Sequence, residues 1–239
     1  GISDTREQQT KYMTILTFTL ILLLGAFVAG LLGSLTGLGG GVVVIPLLTL
    51  LFHVDIRYAI GAALLASIAT SSGAATAYVK EGITNIRLGM FLEIATTIGA
   101  VIGAVIAIYM PTNTIAIIFG VVLIFSAAMT VRKKNEHALS GGSALAEKLK
   151  LNSTYPSEGK LVPYKLTNVV GGFSLMGVAG VLSGLLGIGS GSLKVLAMDS
   201  MMKIPFKVST TTSNFMIGVT AAASAVVYLQ RGYMDPGIA

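Results

Sequence analysis

Lys194 lies three residues past the cluster Gly187-Ile188-Gly189-Ser190-Gly191, in an otherwise apolar stretch. A lysine in such surroundings costs several kcal/mol unless it is paired or solvated. An anion would supply that pairing, with the ammonium, freed backbone N–H groups and the positive end of a short following helix converging on it. A structural pair with Asp199, or snorkelling to the polar boundary, would satisfy it as well. Facing it by the repeat register set out below is Ser209-Thr210-Thr211-Thr212-Ser213-Asn214. Such a run serves as ordinary N-capping, which needs one residue, or as converging donors for an oxyanion, which needs several and no negative charge. Its last three, Thr212, Ser213 and Asn214, are the candidate ligands. In Thr70-Ser71-Ser72, Thr70 and Ser71 either face a polar substrate or return hydrogen bonds to their own backbone. Glu93, about six residues inside an apolar run, is either a proton-coupling group or a snorkelling carboxylate paired with Arg87.

Hydrolase signals are weak. The only histidines, His53 and His137, lie in polar connectors, and the chain has no cysteine. No Ser-His-Asp constellation, His-Glu-x-x-His or phosphate-cradling Gly-Lys-Ser/Thr pattern is present. No catalytic residue, cofactor or metal is expected, and the chain is not read as an enzyme. The net charge of +6 is scattered over connectors without a basic helix face, so nucleic acid is not an expected partner. Positive-inside topology accounts for it instead.

The elements that would position these residues follow from the glycines. Gly37-Leu38-Gly39-Gly40-Gly41, closely followed by Pro46, cannot sustain a helix, since each glycine costs about 1 kcal/mol relative to alanine. A helix broken at membrane depth leaves backbone groups unpaired, which is tolerated only in protein or beside a wet cavity. The same break recurs at Gly187–Gly191 after a shift of about 150 residues. In that register Val28, Ala29, Gly30, Leu32, Leu35, Gly37, Gly39 and Gly41 meet Val178, Ala179, Gly180, Leu182, Leu185, Gly187, Gly189 and Gly191, and Thr70/Thr220, Tyr78/Tyr228 and Gly82/Gly232 continue it. The chain therefore reads as a duplication, and paired interruptions of this kind point to a transporter's binding site. Gly39, Gly40, Gly41, Gly189, Ser190 and Gly191 join Lys194 as candidate substrate-binding residues.

Composition agrees: 54% of the residues are hydrophobic, 11% are charged and the mean hydropathy is +0.83. This is the make-up of an integral membrane protein, and the expected location is the cell (inner) membrane, which the chain crosses several times. The expected fold is an all-α polytopic helix bundle of two homologous repeats, each with a glycine-rich broken or re-entrant helix: residues 1–131, a basic cytoplasmic linker at 132–167, and residues 168–239. The first apolar run reads as a retained span rather than a signal peptide. Spans are expected at about 13–35, 58–79, 88–109, 115–131, 169–186 and 208–229, with short limbs at 42–52 and 193–202, a polar turn at 110–114 and a short surface helix at 144–151. Pro46 suits a first helical turn. The second half stops two spans short of the first, so the natural chain is expected to be longer. If the short limbs cross, the halves are inverted; if they are re-entrant, the halves run parallel. Lys203 and Lys207 tip the balance toward inversion.

On the paired motifs, Gly37-Leu38-Gly39-Gly40-Gly41 with Pro46 and Gly184-Leu185-Leu186-Gly187-Ile188-Gly189-Ser190-Gly191 followed by Lys194-Val195, the chain resembles the sulfite exporter TauE/SafE family, also called the toluene sulfonate uptake permease family. The resemblance spans nearly the whole chain outside the linker. It implies transport of sulfite, organosulfonates or related sulfur oxyanions. Ser190 stands where the motif usually has a third glycine, and Leu196 where a proline often stands. The expected function is secondary transport of a small anion; a passive anion channel or a non-transporting scaffold is the alternative. Expected partners are that anion and the lipid bilayer, with a homodimer left open.

Overall fold

The computed structural model describes residues 16–17, 19–33, 39–131, 142–157 and 160–234. The expectations for the N-terminal segment, for Gly37 and Leu38, for Arg132 to Lys134 and His137, and for 235–239 lie outside the described residues.

Among the described residues the chain is mostly helical. Helix α1 (Thr19–Gly33) leads to the first glycine cluster and to α2 (Gly41–Pro46), which continues through a π-helical turn at Leu47–Leu51. Then come α3 (Ile56–Lys80), α4 (Ile86–Tyr109) and α5 (Thr112–Val131). The linker holds a short α6 (Ala144–Lys148) and the strands β1 (Ser153–Ser157) and β2 (Lys160–Tyr164). After it, α7 (Val169–Leu186) reaches the second cluster, followed by α8 (Gly191–Leu196), a π-helical turn at Ala197–Met201, and α9 (Phe206–Gln230). Helices α3, α4, α7 and α9 are long and apolar enough to cross a membrane.

Local chemistry explains the ends. Asp55 accepts a hydrogen bond from the Arg57 N–H at the start of α3, and Asn85 one from the Leu88 N–H at the start of α4. Each side chain satisfies a donor that the helix leaves open. Along α4 the buried positions Leu88, Leu92, Thr96, Gly99, Gly103 and Ala107 form one stripe at helical spacing. That stripe lies against α7, where Gly180 and Gly184 approach the α4 backbone at Thr96 and Ala100 so closely that a side chain has no room. Small residues allow such contact between apolar helices, where dispersion rather than water drives association.

Two readings are corrected. Pro46 sits at the end of α2, inside continuous helix, where the π-helical turn begins. The turn does not depend on the proline, because Leu196 precedes the second one. The linker is also more than a short helix: β1 and β2 pair antiparallel from Ser153↔Tyr164 to Ser157↔Lys160. Ala146, Leu151, Tyr164 and Leu166 bury against Leu88, Val169, Met202 and Val208, so the linker is packed onto one end of the bundle.

Direction follows from the contacts. The start of α3 meets the end of the α9 segment, with Gly61 against the Tyr233 carbonyl. Asn85, just past the end of α3, is held by Thr212 near the start of α9. Helices α3 and α9 therefore lie antiparallel. The arm α8 doubles back, since Thr167 ahead of α7 donates its N–H to the Met202 carbonyl (3.0 Å) and Gly172 abuts Met202.

Candidate functional site

The two glycine clusters touch. Gly39 and Gly189 have φ of +84° and +70°, a region that glycine enters at no steric cost. A methyl group on Gly41 would come within 2.6 Å of the Gly187 carbonyl oxygen, and one on Gly39 within 3.1 Å of the Ile188 carbonyl. Ile217 of α9 covers both clusters, standing against Gly39 and Gly189, while Ile60 packs on Gly187. The two breaks thus pack backbone against backbone along a seam, with Ile217 and Ile60 over them. Gly40 faces Thr70, whose Oγ1 lies 3.2 Å from where its side chain would start.

Beside the seam lies a buried polar chain. The Lys194 side chain is fully buried, and its Nζ donates to Thr220 Oγ1 at 2.6 Å. Thr220 Oγ1 lies 2.6 Å from Glu93 Oε1, and Thr97 Oγ1 donates to the same oxygen at 3.1 Å. Glu93 is 7% exposed, and its second oxygen, Oε2, has no hydrogen-bond partner among the described residues. An ammonium and a carboxylate thus share one hydroxyl, the three groups coming from α8, α4 and α9, of which α4 is distant in sequence from the other two. Such a set is costly to desolvate, and removing one member costs more than the pair contributes. Ser190, at φ +46°, also buries its Oγ without a partner among the described residues.

The alternatives for the two charged residues resolve as follows. Glu93 neither snorkels nor pairs with Arg87, whose guanidinium donates to the Lys150 carbonyl (3.2 Å). Lys194 neither snorkels nor turns to Asp199; its ammonium goes to Thr220. Thr220 itself was named only as the repeat partner of Thr70. That match was the one sequence signal for it.

The hydroxyl runs are divided. Ser213 Oγ donates to the Gly191 carbonyl (3.3 Å) and so touches the second cluster. Ser209 bonds the Ile204 carbonyl and Thr211 the carbonyls of Lys207 and Val208, which is local backbone satisfaction. Thr212 Oγ1 accepts from the Asn85 N–H (3.1 Å). Ser71 Oγ donates to the Asn214 carbonyl and accepts from the Gly218 N–H, tying α3 to two successive turns of α9. Thr212, Ser71 and the Asn214 backbone therefore hold helices in register, while Gly39, Gly40, Gly41, Thr70, Gly189, Ser190, Gly191, Lys194 and Ser213 gather around the breaks. No group of three or more His, Asp or Glu able to hold a metal occurs among the described residues.

At the linker end, Asn85 Nδ2 donates to the Leu151 carbonyl (2.9 Å) and to the Tyr164 hydroxyl (2.8 Å). Burial pushes the Tyr164 phenol up to about 12, against the smaller opposing pull of that Asn85 bond.

Known proteins resemble this sequence. The chain is 31% identical over 227 residues to the probable membrane transporter protein YunE of Bacillus subtilis, covering 92% of this chain and 81% of that protein. It is 26% identical to the probable membrane transporter protein YdhB of the same organism, over 90% of this chain and 81% of YdhB. A probable membrane transporter protein of Methanocaldococcus jannaschii is 26% identical over 92% of this chain and 75% of its own length. No solved structure matches the chain. With four membrane-capable helices and such relatives, the protein is a multi-pass membrane protein. The profile described as sulfite exporter TauE/SafE matches residues 22–239, and the chain belongs to that family.

Proposed function

We propose that the chain is a secondary transporter of small anions, with sulfite, organosulfonates or related sulfur oxyanions as the first candidates, and that the anion binds where the two glycine breaks meet beside Lys194. One observation carries this: a fully buried ammonium, one hydroxyl away from a buried carboxylate, stands within a turn of backbone broken at Gly189–Gly191. Backbone N–H groups, Ser190 Oγ and Ser213 Oγ add donors without negative charge.

Recurrence along the chain supports reading it as a duplication. Elements recur at 41–51 and 191–201 and at 56–80 and 206–230, and positive φ recurs at Gly39/Gly189, His53/Lys203 and Gly82/Gly232. The antiparallel course of α3 and α9 favours inverted repeats, 1–131 and 168–239, joined by the linker 132–167. In each repeat the broken helix enters and returns on one side and so does not cross; the first repeat is left with three crossings, α3, α4 and α5, an odd number that inverts the second, whereas parallel halves would need the run before each break to cross as well. Alternating access then amounts to one repeat rocking against the other about the seam.

The test is uptake of labelled sulfite into proteoliposomes. Saturable flux driven by an imposed gradient and lost in Lys194→Ala supports the proposal. Flux linear in concentration identifies a passive channel instead, and no flux for any small oxyanion identifies a scaffold.

A further inference from the structure

Resting on that anion site, we infer that Glu93 is the built-in stand-in for the substrate, and that Thr220 links its protonation to anion binding: an anion takes over Lys194 as a proton takes over Glu93. The geometry needs no other charge. In the described conformation Lys194 donates to Thr220 Oγ1, and Thr220 stands 2.6 Å from Glu93 Oε1. The Thr220 hydroxyl has one proton and two acceptors in reach, Glu93 Oε1 and the Met216 carbonyl at 3.0 Å. While Glu93 is ionised, the proton belongs on the carboxylate side, where a charge-assisted bond is the stronger of the two. Once Glu93 is protonated, the hydroxyl turns to Met216 and leaves Lys194 without a counter-charge.

Charge conservation at the buried site then sets the stoichiometry. Empty, it holds one ammonium and one carboxylate; occupied by a monoanion, it holds ammonium, anion and neutral carboxylic acid. Both sum to zero, whereas ammonium, anion and ionised carboxylate together, or ammonium and neutral acid without the anion, leave a net charge buried in apolar surroundings. One proton therefore enters with each monoanion and leaves with it. Surrounding titratable groups do not substitute for Glu93. Helix α7 contributes none, α9 has Lys207 exposed near its start and Tyr228 bonded to the Leu185 carbonyl, and the α8 arm adds only Asp199, half-buried on its π-helical turn. On α4 itself Arg87 is engaged with the linker at Lys150.

The experiment is calorimetric titration of the purified full chain with sulfite, methanesulfonate and acetate, in buffers of different ionisation enthalpy, which counts protons taken up per anion bound. Comparison with Glu93→Gln cancels the anion's own titration. The wild-type protein should take up about one more proton per anion than Glu93→Gln, and its affinity should fall about tenfold per pH unit more steeply than the variant's once Glu93 is ionised, the variant keeping only the anion's own pH dependence. Thr220→Val should behave like Glu93→Gln, and Thr220→Ser like wild type; this pair carries the test if Glu93→Gln does not fold. Equal proton uptake in wild type, Glu93→Gln and Thr220→Val overturns the coupling and leaves the anion site standing. Absence of binding by all three anions overturns the site, and the coupling with it.

Discussion

Lys194 and Glu93 are each tolerable because the other is present, joined through the Thr220 hydroxyl. Removing one partner leaves an uncompensated buried charge at a cost of about 3–5 kcal/mol, whereas replacing both with apolar residues of similar volume is far milder. Lys194→Met and Glu93→Leu should each lower the melting temperature in detergent more than the double variant does. Additive single effects would show that the two charges are not energetically linked. The sequence announced Lys194 by its place beside a glycine cluster, and Glu93 by its depth in an apolar run. It could not announce their connection, because Thr220 and Glu93 are 127 residues apart and meet only when α4 and α9 pack.

At the scale of elements, the glycine clusters are contact surfaces as well as breaks. Gly41→Ala forces a methyl group against the Gly187 carbonyl, backbone against backbone, so it should cost about 1–3 kcal/mol and reduce transport. Gly73→Ala, in open space on α3, should be neutral or stabilise by up to about 1 kcal/mol. Thermal melts of both variants check the contrast; a silent Gly41→Ala would contradict the seam. The linker is a second such surface. Tyr164 is neutral in the folded protein up to about pH 12 but ionises near 10 when exposed, so its docking contribution is complete below pH 10 and lost as pH rises toward 12. Tyr164→Phe should flatten that alkaline loss of stability; an unchanged alkaline melting profile would remove Tyr164 from linker docking. Helix positions were legible because apolar runs and glycine punctuation mark them directly. The β1–β2 hairpin was not, since Ser153–Ser157 and Lys160–Tyr164 are short and each contains a proline, Pro156 and Pro163.

For the whole molecule, the proposed inversion of the repeats implies an opposed orientation of equivalent positions. His53 and Lys203 are both exposed, both have positive φ and stand 150 residues apart, yet they belong to opposite ends of the bundle if the repeats are inverted. The chain has no cysteine, so His53→Cys and Lys203→Cys each provide a unique label. A membrane-impermeant thiol reagent should reach them from opposite sides of the bilayer; labelling from the same side would make the repeats parallel. The 150-residue register was visible in the glycines before any coordinates, but its three-dimensional sense needed the antiparallel contact of α3 with α9. The same freedom from cysteine permits the most direct test of the anion site, Lys194→Cys assayed for labelled-sulfite uptake before and after aminoethylation of the thiol, which returns an ammonium at nearly the original reach. The account requires uptake to collapse in Lys194→Cys and to recover on aminoethylation; uptake at the wild-type rate in the unmodified variant would contradict it.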